Sequence, residues 1–598
     1  MIGALVAEAL RSAPVADVMK HLGAVALYDR YQASLGIHAA AAVVAGAARE
    51  LGLEDVTIQE FTTDKSWWTF EPPTPWTPLR AQLAIETDLG RSMVIDHSLQ
   101  PFSIATHSTS TPAGGLHGPV RALESGQLQG ALVLLDRSEY YLSDTLERLI
   151  DGGASGFMTD GTACSTELGQ FPGRVELPAT TLMFGFSVTP DQLGVVRSWM
   201  KQDPNGLRFH STIDVDRCAT MPIVTACLPG TQPGEVWLTA HLCHPRPGAN
   251  DNASGVAALL GVGDTLQQLR AVLLSGSQGK TVRFFWGPEF TGTAAYLHQR
   301  LASQGTSQHP HAIINLDMVG ESVSLCGSPF IVEHGPDFQG SLMAAVAEQV
   351  VDEVFAQTAN QPGYWRRAPF YGYSDHALFA GPNFGCPLVQ FAHWRDRFNH
   401  SAADTVDKVC ETEIRRSIAA ATVLAAWAAG YAQLGAEQTD NVIRSWCART
   451  EEWSKAVYAQ HQQSAPAWSK AYRSYMRDRC EWMQSQQEVG EPAAHCFRAA
   501  DASRATGTLL AGFLGPVNVR GMIAHMEVNS RQEVLRMIAS DKRVLALLLN
   551  YAVRCDGTRT PAQVVRETHF ALAVPPDPAQ SHFLLNQLIN SGNIKLID

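Results

Sequence analysis

Long apolar runs are missing from this chain. No stretch reaches the roughly 18 apolar residues a helix needs to cross a bilayer, which excludes a helical membrane span. The opening residues, Met1-Ile-Gly-Ala-Leu-Val-Ala-Glu, carry no basic stretch ahead of an apolar one, so a cytoplasmic protein without a membrane partner is expected. Basic excess is missing too. With 45 Lys and Arg against 58 Asp and Glu, and a formal net charge of −13, the chain has no surplus with which to neutralise phosphates, which excludes a nucleic-acid partner. The 11 cysteines include no CxxC pair and are odd in number, so reduced thiols are expected rather than a disulfide framework. Charged residues make up only 17% against 45% hydrophobic, a balance that excludes a disordered chain. Repeats and low-complexity tracts are also absent.

What remains is a long globular chain. At 598 residues it exceeds what one core supports, so about three or four domains are expected. Apolar positions at helical spacing over 15–50, interrupted by Gly36, predict two helices, and 56–61 reads as a strand. From 73 to 205 the composition shifts to short β-like runs and turns, with strands near 130–136 and 154–158 and a helix over 143–151. This order resembles the protease-associated domain, a small β-rich insertion. From about 213 to 435, strands at 222–227, 235–241, 280–286 and 312–317 alternate with helices at 255–269 and 292–303, the mark of an α/β domain with a mostly parallel sheet. A helical stretch follows over 437–492, with the Pro/Gln-rich 462–492 as a flexible connection. Three short helices and a final strand over 540–598 suggest a winged-helix unit in a structural or protein-contact role, within a region taken as 493–598.

The chemistry gathers at strand ends. The strand Val236-Trp-Leu-Thr-Ala240 delivers His241 to its carboxyl end, where ligands bind in open α/β sheets. The next loop runs from His244 to Asp251 and into a helix. Imidazole and carboxylate from the two limbs of one loop can converge on a cation. Taken singly, His241 reads as a loop histidine and Asp251 as a helix N-cap. Three further strands change that balance, ending near Glu289, at Asp317, and through His393 at Asn399-His400. Turn chemistry alone does not place metal-type side chains at four strand ends.

His241-Leu-Cys243, Gly248-Ala-Asn-Asp-Asn-Ala-Ser-Gly255, Asn315-Leu-Asp317-Met-Val-Gly320 and His400-Ser-Ala-Ala-Asp-Thr405 resemble the motifs of the co-catalytic zinc aminopeptidases (clan MH). That family includes bacterial leucine aminopeptidases, glutamate carboxypeptidase II and glutaminyl cyclases. The resemblance covers roughly 15–435 and is closest to an aminopeptidase-like branch with a C-terminal winged-helix unit. It implies a three-layer α/β/α catalytic domain over 1–72 and 206–436, a protease-associated-like insertion over 73–205, a helical connector over 437–492 and a winged-helix-like domain over 493–598.

Carried over residue by residue, it implies His241 and Asp317 as ligands of one zinc, Asp251 as the carboxylate bridging two, His400 as a ligand of the second, and Glu289 as general base. Two positions depart from the family pattern. Phe290 stands where a second Glu binds metal, and Cys243 where an Asp orients the ligand histidine. The second ion is left short of ligands, so either one zinc or two is held. Glu289 acts as base or binds metal itself. His244 completes the shell or meets substrate. Cys243 stands in beside His241 or ligates. Tyr373, Ser374, Asp375 and His376 line a substrate pocket or cap the helix that follows, and Asp404 orients His400 or caps a helix. Trp67, Trp68 and Trp76 form an aromatic wall or seal an interface. The expected activity is hydrolysis of an amide bond at the amino end of a peptide or small amino-acid conjugate. The alternatives are a glutaminyl cyclase-like acyl transfer or cyclisation, and a metal-free binding protein.

Overall fold

The computed structural model describes residues 1–142, 144–161, 170–304, 309–485, 495–496 and 507–597. After three N-terminal helices comes β1 (Glu54–Phe61). A separate sheet follows, with β2 (Thr77–Thr87), β3 (Ser92–Asp96), β4 (Leu116–Ala122), β5 (Leu132–Leu135), β6 (Gly156–Thr159), β7 (Phe184–Ser187) and β8 (Leu207–Asp216). The chain then returns to the first sheet with β9 (Met221–Leu228), β10 (Gln232–His241), β11 (Lys280–Gly287), β12 (Ala312–Leu316), β13 (Phe330–His334), β14 (Trp365–Ala368) and β15 (Leu388–His393).

The eight-stranded sheet has the order β1-β9-β11-β10-β12-β15-β13-β14. Its centre, β11-β10-β12-β15, is parallel, and β9 joins β11 antiparallel. Strands buried on both faces read as continuous apolar runs, and β9 is buried at every position. On β10, Val236, Leu238 and Ala240 face one core while Trp237 faces another, as the two-residue period of a strand requires. The first core holds the N-terminal helices and the helices Gly255–Val272, Met343–Gln357 and Glu411–Ala428. The second is shared with the helix Thr291–Gln304 and the C-terminal region, which contributes Leu548, Val553 and Leu584. The C-terminal region is therefore packed on the sheet that carries the site. Arg554, fully buried, pairs with Asp337 across this junction.

Several sequence boundaries shift. The break between the early helices lies before Leu35, since the helices are Val15–Val25 and Leu35–Glu50 with Gly36 inside the second. Gly36 is needed for contact instead: a Cβ there would lie 2.0 Å from the Asp29 carbonyl oxygen. The inserted sheet, ordered β3-β2-β8-β4-β5-β6-β7, includes β8, so it runs to Asp216 and past the expected end at 205. The helix expected over 143–151 spans Thr145–Asp151, and Ser143 lies outside the described residues. Most of the segment read as a flexible connection is the helix Pro466–Ser485, whose Tyr472, Tyr475 and Met476 are buried, while 486–492 lies outside the described residues. The described residues of the C-terminal region form five helices, from Val519–Ala524 to Pro578–Asn590, and a two-stranded antiparallel ribbon of Thr508–Ala511 with Ile594–Ile597. No helix among the described residues is long and apolar enough to cross a membrane. Trp76 donates to the Ser108 carbonyl from full burial and meets Tyr31 edge-on, and Trp68 meets His298. These tryptophans seal interfaces and do not form a wall.

Candidate metal centre

His241 ends β10, Asp317 follows β12, and parallel pairing of the two strands sets them side by side. His241 Nε2 lies 3.2 Å from Asp251 Oδ1 and 3.2 Å from Asp317 Oδ1. The other oxygen of Asp251 faces His244 Nε2 at 3.1 Å and His400 Nε2 at 3.3 Å. Two triads therefore share Asp251: His241, Asp251 and Asp317, and His244, Asp251 and His400. Each of the two Asp251 oxygens serves one triad.

The His244 side of the arrangement calls for a cation. His244 Nδ1 donates to the Pro245 carbonyl at 2.9 Å, and burial lowers the ring's pKa despite Asp251. A neutral ring protonated on Nδ1 aims its Nε2 lone pair at a carboxylate oxygen, and this nitrogen has no hydrogen-bond partner. Lone pair against carboxylate is repulsive unless a positive ion sits between them. His241 is oriented likewise, with Nδ1 donating to the Cys243 carbonyl at 3.0 Å, but its Nε2 faces two carboxylates and is hydrogen-bonded to Asp317 Oδ1 at 3.2 Å. Burial works against charging this ring, but Asp317 and Glu289 outweigh it and raise its pKa.

The 248–255 run is built to hold Asp251. Its backbone leaves helical geometry at Asp251 and Asn252, turning the carboxylate out of the helix start. Asn252 donates to the Leu316 carbonyl at 2.9 Å and accepts from the Met318 amide at 3.1 Å. The side-chain oxygen of Asn250 accepts from the Gly320 amide at 3.0 Å. Each Asn offers both a donor and an acceptor, so the pair staples the Asp251 loop to the Asp317 segment. Asp404, expected beside His400, instead accepts the Asn250 and Asp251 amides at 2.7 and 3.0 Å. It orients the Asp251 loop.

Glu289 lies at the end of β11. Its amide donates to Cys243 Sγ at 3.2 Å, and its carbonyl accepts from Gln32 at 3.0 Å. Burial, with the carboxylates of Asp317 and Asp375 adding to it and His241 and Arg520 opposing, pushes its carboxyl up to about 8. Phe290 adopts a left-handed φ of 57° and places its ring under the Arg520 guanidinium, 5.8 Å from the ring centre. Its amide donates to Asp375 Oδ1 at 2.7 Å, which also accepts from Thr293. Of the four pocket candidates, Asp375 is the one shown hydrogen-bonded to the Glu289 loop. Ser374 is buried and accepts from Asn315, and its side chain makes no capping bond. His376 is buried on Glu333, and Tyr373 donates to the Lys542 carbonyl of the C-terminal region.

Several residues had no signal in the sequence. Arg30 is fully buried and donates to the carbonyls of Val25, Tyr28, Leu242 and Gly248, which anchors the loop from His241 to Asp251. Burial brings its pKa down to about 10. Arg30→Met would leave these buried carbonyls unsatisfied, at about 1–3 kcal/mol each for those that water cannot reach. Urea unfolding of metal-free protein is expected to show a loss of roughly 3 kcal/mol or more, and zinc competition a loss of about 10–100-fold in affinity. Unchanged affinity would show that Arg30 serves the fold alone. From the inserted unit, the Arg174 amide donates to the His400 carbonyl at 2.8 Å, and the Ala402 amide donates to Pro172. The insertion thus braces His400, whose φ is 59°. Arg174 also pairs with Glu176, whose carboxyl Arg174, against burial and aided by Arg520, holds down at about 2.

Comparison with known proteins bears on this geometry. Residues 223–425, which hold both triads and Glu289, match the profile of peptidase family M28. This part of the chain is similar to the peptidase M28 domain. A zinc aminopeptidase from Bacillus subtilis aligns with a TM-score of 0.50 at 16% identity, over 69% of this chain and 94% of its own. A peptidase M28 precursor from Shewanella amazonensis aligns with a TM-score of 0.52 at 16% identity, over 72% and 96%. At these identities the likeness shows the fold. No curated protein matches the chain.

Proposed function

We propose that this chain is a peptidase of the M28 type, a two-zinc hydrolase that cleaves the amide bond at the amino end of a peptide or small amino-acid conjugate. The observation that carries the reading is Asp251, with one oxygen in the His241–Asp317 triad and the other in the His244–His400 triad. Imidazole and carboxylate donors would hold zinc, and a carboxylate shared by the two triads would serve two ions. On this reading His244 supplies what Phe290 cannot. Bound zinc supplies Lewis acidity, lowering the pKa of water to about 7 and polarising the scissile carbonyl. Glu289 takes the proton from the attacking water and returns it to the leaving amine nitrogen. Asp375 and Cys243 hold the Glu289 loop, while Asp404 and Asn252 hold Asp251. We read the insertion as protease-associated-like and the C-terminal region as winged-helix-like, the first narrowing access to the site.

The test uses zinc-loaded protein in water enriched in oxygen-18, with peptides bearing free or acetylated amino termini. The expected result is release of the first residue from the free peptide alone, with one solvent oxygen in its new carboxylate. A cyclised product without solvent oxygen would establish acyl transfer instead. Protein that takes up no zinc would overturn both.

A further inference from the structure

A third cluster lies beside the two triads and has no part in the proposed reaction. Glu321, Cys326 and Asp396 bring a carboxylate oxygen, a thiol sulfur and a second carboxylate oxygen within 4.8 Å of one another. Glu321 and Cys326 come from the segment after Asp317, and Asp396 from the loop between β15 and His400. Glu321 is 0% exposed, and neither of its oxygens has a hydrogen-bond partner. A buried carboxylate in that state needs a proton or a cation. Asp396 is by contrast held in place. Its Oδ1 accepts from the Phe398 and Asn399 amides at 2.6 and 3.1 Å, and its Oδ2 accepts from Asn250 Nδ2 at 2.7 Å. Fixed carboxylates of this kind are what metal sites use.

We infer that Glu321, Cys326 and Asp396 form a structural binding site for a divalent ion of the zinc type, separate from the catalytic pair. The donor set selects the ion. Thiolate with carboxylate suits zinc, whereas magnesium and calcium take oxygen ligands. Three protein ligands leave one position of a tetrahedron for water. An ion here ties together the loops that carry the catalytic ligands, because Asp396 reaches the Asp251 loop through Asn250 and holds the backbone just before His400. The rival arrangement is a proton shared by Glu321 and Asp396. Burial and the facing Asp396 do push the Glu321 carboxyl up to about 10 in the metal-free protein.

Cobalt separates the two arrangements, and the assay does not depend on the proposed activity. The catalytic triads offer only nitrogen and oxygen, so strong sulfur-to-cobalt charge-transfer absorption reports a thiolate ligand. Full-length protein stripped of metal and titrated with cobalt is expected to develop this band at one equivalent per chain. The band should vanish in Cys326→Ser and persist in Cys243→Ser and in Asp251→Asn. Zinc content by mass spectrometry should fall by one ion per chain in Cys326→Ser and in Glu321→Gln. Cys326 is half-buried, so its replacement by serine is the mild variant, and circular dichroism confirms that it is folded. Absence of the band, its persistence in Cys326→Ser, or its loss in Cys243→Ser would overturn the site. Unchanged zinc content in Cys326→Ser would leave the shared proton as the account of the cluster.

Discussion

Glu289→Gln is expected to keep its zinc and lose about 10²–10⁴-fold in kcat, the range carried by a positioned proton-transfer group. The substitution is nearly isosteric, and the contacts that hold the loop are to the backbone of Glu289: its amide to Cys243 Sγ and its carbonyl to Gln32. These survive the change, as does the bond from the Phe290 amide to Asp375. What is lost is the ability to accept a proton. KM should move little, since a group that acts on the proton in flight contributes to the transition state and not to ground-state binding. Metal analysis beside steady-state kinetics checks the result. Loss of zinc in Glu289→Gln would make Glu289 a ligand and return the second ion to a different set of residues.

Asp251→Asn is expected to lose both catalytic ions together, with a fall in kcat/KM on the order of 10³-fold or more, because Lewis-acid stabilisation is worth several kcal/mol. The reason is geometric. Both triads run through this one side chain, so neutralising it weakens each site at once and leaves His244 and His400 with no shared anion. His400→Ala, by contrast, touches only one triad and is expected to release one ion while His241 and Asp317 keep the other. Zinc competition titrations on the two variants give the comparison. Equal loss of a single ion in both would mean that Asp251 serves one site only, and the two-zinc reading would fall.

Legibility followed chain distance. The alternation of strands and helices over 222–317 was readable because periodicity is a local property, and the eight-stranded sheet contains those strands with ends moved by a few residues. Elements whose form depends on partners depart from their local sequence pattern. Helix Pro466–Ser485 is polar and Pro/Gln-flanked in sequence, yet it is ordered by burial of Tyr472 and Tyr475 against Phe570. Strand β8 belongs to the inserted sheet only because β2 and β4 take it up. In sequence Asp404 reads as a partner of His400 or as a helix cap, and its bonds go to backbone amides 153 and 154 positions away. Ser374 and His376 look like pocket residues in a Tyr-Gly-Tyr-Ser-Asp-His string, but the partners that bury them, Asn315 and Glu333, come from other strands.

By itself the sequence determined the α/β class and the family resemblance, and it pointed to His241, Asp251, Asp317, Glu289 and His400 as candidates, because strand ends and the 248–255 run are written in consecutive residues. Only the tertiary structure decided how those residues share their work. It brought His244 to the second oxygen of Asp251, set Arg30 under the loop from 212 positions away, and laid the inserted unit against His400. A side chain's local pattern tells which atoms it can offer. Which atoms meet depends on packing between distant segments, and that is set by burial and hydrogen-bond satisfaction across the whole fold.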